Sequence, residues 1–132
     1  MRWASSNVPN PAQPLSKLGT QLTKWTNSCS NSGTSSQVSL GTLMTQMMQN
    51  SDNDSTNAIM DFMGLAAIDN TMHSLLNLSE STQLVNRLGC NGGNLADPAN
   101  SATVQDMMKT YEAVATGAVP PAYLEQFWQR MN

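Results

Sequence analysis

Ser39-Leu40-Gly41-Thr42-Leu43-Met44-Thr45-Gln46-Met47-Met48-Gln49-Asn50-Ser51-Asp52-Asn53-Asp54-Ser55-Thr56-Asn57-Ala58-Ile59 is the stretch whose reading decides the fold. Leu40, Leu43, Met44, Met47 and Met48 recur in steps of three and four, which puts them on one face of a helix. Ser39 stands where a hydroxyl can cap the first turn. The period breaks at Asn50 to Ser55, where every residue is polar. It resumes with Ala58, Ile59, Phe62 and Met63, and Gly64 is a natural stop. The segment therefore reads as two amphipathic helices joined by a polar break.

The pattern continues downstream. Ile68, Met72, Leu75 and Leu76 predict a third helix. Residues 77 to 102 form a long connection, rich in Gly and Asn, with one apolar patch at Leu84, Val85 and Leu88. Connections of this length inside a compact domain are often functional. Thr103 opens another helix, whose apolar face is Val104, Met107, Met108, Tyr111, Val114 and Ala115, and Gly117 ends it. Pro120-Pro121 starts a last one, with Leu124, Phe127, Trp128 and Met131 on its inner face. The ten methionines read as core filler at helical spacing.

Upstream the signal is weaker. Pro9, Pro11 and Pro14 mark an irregular lead-in. Leu15, Leu18, Leu22 and Trp25 fit a short helix, and residues 26 to 36 read as an exposed Ser/Asn-rich loop. No strand pattern stands out. The expectation is an all-α chain of five or six helices, with residues 1–36 as lead-in, short helix and loop, and residues 37–132 as the helical unit.

Bulk properties narrow the function. The chain has 132 residues, enough for one domain with its own core. The net charge is -3 and the six basic residues are dispersed, so there is no Lys/Arg face for nucleic acid. No apolar run approaches a membrane span. Only 11% of residues are charged, against about a quarter in an ordinary domain, and Ser, Thr, Asn and Gln supply the polarity. That suits a secreted or periplasmic protein. Arg2-Trp3-Ala4-Ser5 is no signal peptide, so an export signal would lie upstream. Cys29 and Cys90 lack metal-ligand spacing; they are either two buried thiols or one disulfide. His73, the single histidine, has no nucleophile pattern near it and reads as structural.

Ser51-Asp52-Asn53 is ordinary cap material taken alone. Its surroundings raise it. Asn50-Ser51-Asp52-Asn53-Asp54-Ser55-Thr56-Asn57-Ala58-Ile59 resembles the S-D-N segment of class A β-lactamases and related penicillin-binding proteins. Asn57 stands where that family opens its next helix. Asn100-Ser101-Ala102-Thr103-Val104-Gln105-Asp106-Met107 resembles the family's T-T-P-x-D-M helix start, and Gly117-Ala118-Val119-Pro120-Pro121 its G-x-x-S-P turn. The three segments cover residues 37 to 132 in the family's order.

The resemblance implies an acyl-serine hydrolase, a β-lactamase/transpeptidase-like fold, and a β-lactam or peptidoglycan-like substrate, with no cofactor and no metal. By it, Ser51 would be the relay hydroxyl, Asn53 would hold the substrate amide, and Asp52 and Asn57 would brace the turn. Asp52 would do so by taking backbone N–H groups. It also places the loops carrying Cys29 and Cys90 beside one cleft, which implies a disulfide between them. Two departures stand out. No Ser is followed by Lys three places on, and Lys109-Thr110-Tyr111 lacks the Gly of K-T-G. Residues 82–91 hold no acid to activate water, and Arg87 falls where the family has Glu. The expectation is thus a middle segment, inactive alone, whose partner is the missing α/β part of the parent, with self-association possible if that part is absent. The alternative is a non-catalytic helical binding or assembly module of an exported protein.

Overall fold

The computed structural model describes residues 17–90, 99–118 and 121–131. The expected lead-in of residues 4 to 14 and the Gly-rich part of the long connection, 91–98, lie outside the described residues.

Past a short 3-10 turn at Lys17–Gly19 come two strands, β1 (Gln21–Asn27) and β2 (Ser32–Ser39). Five helices follow: α1 (Leu40–Asn50), α2 (Asn53–Met63), α3 (Leu65–Leu76), α4 (Val104–Ala115) and α5 (Pro121–Met131). The all-α expectation is thereby corrected. Residues 21–39 are an antiparallel hairpin, in register from Gln21↔Ser39 to Trp25↔Ser35 and shifted by one at Asn27↔Ser32, where a helix and a loop were expected.

The reason is local. Leu18, Leu22 and Trp25 share a helical period, but Thr20, Thr23 and Thr26 between them favour the pleated backbone. β2 carries one large apolar residue, Val38, opposite Leu22, so its alternation is invisible in the sequence. Gly33 (φ +83°), the second residue of β2, lets the strand pass close to Thr26; a Cβ there would meet Thr26 Oγ1 at 2.5 Å. The same Thr26 Oγ1 accepts from Thr34 N–H at 3.0 Å, next to a bulge between Trp25 and Asn27.

The helix boundaries follow the caps. Ser39 Oγ accepts from Thr42 N–H, and Thr103 Oγ1 from Asp106 N–H. Gly64 separates α2 from α3 at φ +83°. The core is small: Leu22, Leu40, Leu43, Ala58 and Ile59, with Val38, Met44, Met47 and Met63 packed around it. It sits where α1 and α2 meet the inner face of the hairpin, so one apolar cluster fixes both helices that flank residues 51 and 52.

α4 reverses its expected orientation. Val104, Met108 and Tyr111 are 80%, 67% and 69% exposed, while Asp106 is buried at 2%. The helix docks through that carboxylate and not through its apolar stripe. Trp128 and Met131 on α5 are exposed as well, and Met107, Met108 and Met131 are therefore surface residues, not core filler.

Candidate active site

The break between α1 and α2 is two residues long. Ser51 ends α1 in the left-handed region, φ 52° and ψ 38°, and its N–H donates to Gln46 O. Asp52 turns the chain in an extended conformation, and Asn53 is the first residue of α2. Asp52 O accepts from Thr56 N–H at 3.1 Å and from Thr56 Oγ1 at 2.9 Å. Ser51 and Asn53 are both exposed, so a hydroxyl and a carboxamide stand at the surface one residue apart.

Asp52 makes no side-chain cap bond to α2. Its carboxylate takes the ammonium of Lys24, from β1, and the hydroxyl of Ser55. Gln46 Oε1 closes the ring, 3.0 Å from Lys24 Nζ and 2.7 Å from Ser55 Oγ. Partial burial would by itself raise the Asp52 pKa. The Lys24 and Ser55 hydrogen bonds, the Lys24 charge and the Asp54 N–H outweigh it and hold the carboxyl below its ordinary value of 3.8. The bracing thus comes chiefly from side chains. A cleft of about 320 Å³ opens beside this ring, lined by Lys24, Trp25, Thr26, Ser36, Val38, Gln46 and Asp54.

The long connection lies along the other side of α2. Asn57 is wholly buried and clamps it: Nδ2 donates to Leu88 O at 2.9 Å and Oδ1 accepts from Leu88 N–H at 2.8 Å. Nδ2 also donates to Ser28 Oγ at 2.9 Å, and Ser28 in turn donates to Asp54 at 2.6 Å. Arg87 pairs with Asp61 (2.6 Å) and donates to Ser28 O (2.8 Å) and Cys29 O (3.2 Å). Cys29 and Cys90 form a disulfide, Cα–Cα 5.1 Å, between the hairpin turn and this connection. Gly89 (φ +72°) lets the chain pass Asn53; a Cβ there would lie 2.9 Å from Asn53 Nδ2.

Further along, Asp106 anchors α4. It accepts from Ser79 N–H (3.0 Å), Ser79 Oγ (2.6 Å), Thr82 Oγ1 (2.7 Å) and Lys109 Nζ (2.9 Å). Those bonds, Ser79 first, hold its carboxyl far below the usual range. Lys109 also reaches Asn77 O at 2.7 Å, so Lys109 and Thr110 belong to this anchor in mid-helix. His73 is half-buried, with Nδ1 3.2 Å from Leu78 O.

The structure therefore gathers Ser51, Asp52, Asn53 and Asn57 around the start of α2, with the disulfide behind them. Sequence reasoning missed Lys24 and Ser28, which reach Asp52 and Asp54 from 28 and 26 residues away, and Gln46, which meets Ser55 from nine residues before it. The one available signal was that Lys24 is a lone charge inside an apolar and Thr-rich segment.

This arrangement, a serine and an asparagine presented by a braced turn between two helices, fits a serine acyl-transfer enzyme. The sequence model of a family described as "Beta-lactamase enzyme family" matches residues 19–131. The chain belongs to that family and is a β-lactamase-like hydrolase superfamily member. Comparison with curated proteins and with solved structures gave no match.

Proposed function

We propose that this chain supplies the S-D-N element of an acyl-serine hydrolase and is inactive by itself. The observation that carries the reading is the Ser51-Asp52-Asn53 turn, which exposes a hydroxyl and an amide while its middle carboxylate is tied down. In an acyl transfer Ser51 relays a proton toward the leaving nitrogen, and Asn53 holds the substrate carbonyl and the catalytic lysine. Asp52 and Asn57 hold the turn and the loop behind it. The nucleophile and its lysine stand in another part of the parent protein, since the 132 residues contain no S-x-x-K string. The exposed Val104, Met108 and Tyr111 stripe on α4 supports an α/β layer as the partner that covers it.

The substrate is a β-lactam or a peptidoglycan-like amide. Residues 82–91 hold no acid, and Arg87 is committed to Asp61 and the hairpin turn. No residue there activates water, which favours a long-lived acyl-enzyme, hence a peptidoglycan enzyme over an efficient antibiotic-destroying one. The low charge and the disulfide support a secreted or periplasmic setting. The same exposed stripe also favours the second reading, a binding or assembly module, and one experiment separates the two.

The isolated chain should neither hydrolyse nitrocefin nor bond a fluorescent penicillin. Joined to flanking sequence that carries S-x-x-K and K-T-G, it should be labelled. Ser51→Ala or Asn53→Ala should then slow acylation on the order of a hundredfold. Labelling of a serine in the isolated chain, or unchanged acylation in both variants, would overturn the reading.

A further inference from the structure

We infer that Lys24 is a positioning residue for the Ser51–Asn53 turn. The inference rests on the S-D-N reading above and adds a residue that none of the family's three motifs contains. Lys24 lies on β1, 28 residues before Asp52, and reaches it across the core boundary. Ser51 occupies a left-handed conformation that a side chain resists, so the turn needs a tether to stay there. Local bonds hold the backbone, with Ser51 and Asp52 N–H both going to Gln46 O, and Ser55 and the Asp54 N–H bond the Asp52 carboxylate from α2. Lys24 adds the cation, and it comes from outside the helices. Gln46 and Ser55, one from each helix, meet the same ammonium–carboxylate pair, so the ring links β1, α1 and α2 at one point.

Asp52 joins Ser51 to Asn53, so a tether on its side chain restrains the residue whose φ and ψ orient the peptide planes on either side. One of them leads to Ser51 and the other to Asn53. Lys24 thus fixes where the hydroxyl and the amide point without touching substrate. Both partners of the ion pair keep about a quarter of their side-chain surface in water (21% and 25%), so removing the cation leaves a carboxylate that water reaches in part and that Ser55 and the Asp54 N–H still bond, and the fold should survive.

The test is nuclear magnetic resonance on the full chain, comparing wild type with Lys24→Met, Lys24→Arg and Asp52→Asn. In Lys24→Met, amide hydrogen exchange at Ser51 and Asp52 should accelerate roughly fivefold, the factor a partly exposed ion pair supports. The left-handed carbon-shift pattern of Ser51 should weaken, and the Asn53 side-chain amide signals should move. The Leu43 and Ile59 amides should stay as they were. Lys24→Arg should restore the turn, because it returns a cation to Asp52, and Asp52→Asn should reproduce Lys24→Met from the other side. Unchanged Ser51 and Asn53 signals in Lys24→Met would overturn the inference. So would a loss spread evenly through the core, or an arginine variant no better than methionine. If Lys24→Met does not fold, the Asp52→Asn comparison decides by the same signals. No substrate is involved, so a negative result here leaves the penicillin-labelling test of the S-D-N reading intact.

Discussion

Asn57→Ala should be the most damaging single polar substitution on α2. Asn57 is 0% exposed and its carboxamide makes three hydrogen bonds to nitrogen and oxygen, two with the Leu88 backbone and one with Ser28 Oγ, and a weaker one to Cys90 Sγ at 3.6 Å. Each neutral bond is worth about 1 kcal/mol net, and partners left buried lose more. Leu88 is only half-buried, so water can recover part of the loss there. The expected cost is about 2–3 kcal/mol, a 30- to 150-fold fall in the folding constant by the usual conversion. For a chain of this length that lowers the melting temperature by roughly 7–10 °C. Urea denaturation with the disulfide intact, followed by circular dichroism, measures it as a lower midpoint at constant slope. A loss below about 1 kcal/mol would refute the reasoning. Arg87 and the disulfide would then hold the connection without Asn57. Asn57→Asp gives a sharper check. A carboxylate keeps the acceptor for Leu88 N–H but faces Leu88 O with no proton to donate, so at neutral pH it should be worse than alanine.

Three further outcomes are expected. The Cys29–Cys90 disulfide closes a loop with a sequence separation of 61, so the Cys29→Ser/Cys90→Ser pair should lose about 4 kcal/mol in the chain-entropy account; thiol titration of the denatured, unreduced wild type should find none. Ser51→Gly should stabilise by roughly 0.5–1 kcal/mol in thermal melts, because glycine adopts the positive φ without strain, while removing the hydroxyl proposed to act as relay. The Asp106 carboxyl is held below its ordinary 3.8 by Ser79, Thr82 and Lys109, so its stabilising contribution is complete above that value and is lost as the pH falls through the lower folded-state value. Asp106→Asn should therefore show a flatter decline of stability between about pH 5 and pH 2 than wild type does; parallel declines in acid titration would reject this.

Residues 39–64 were legible because helical period and cap chemistry agreed there. Leu40, Leu43, Ala58 and Ile59 announce the helices, and Ser39, Ser51 and Gly64 mark their ends. The resemblance to β-lactamases rested on the break between them and on two further local strings, Asn100 to Met107 and Gly117 to Pro121. Local chemistry also explains the segment whose fold class misled. Leu18, Leu22 and Trp25 fit a helix by spacing, and nothing within residues 32–39 alone shows that they will pair with 21–27. A strand is completed by hydrogen bonds from another segment, so its partner is a tertiary fact.

The α4 face failed for a related reason. Val104, Met107, Met108 and Tyr111 form an apolar stripe, but which face a helix buries depends on what it meets. Here Ser79 and Thr82 meet Asp106, and three bonds from outside the helix to one carboxylate set the orientation. By itself the sequence determined the two central helices, their break and the S-D-N turn, since capping and amphipathic period act over a few residues. The Lys24–Asp52 tether, the Asn57 clamp on Leu88 and the Arg87 anchor were decided by the tertiary structure alone, because each joins groups 26 or more residues apart and exists only once the chain has brought them within hydrogen-bonding distance.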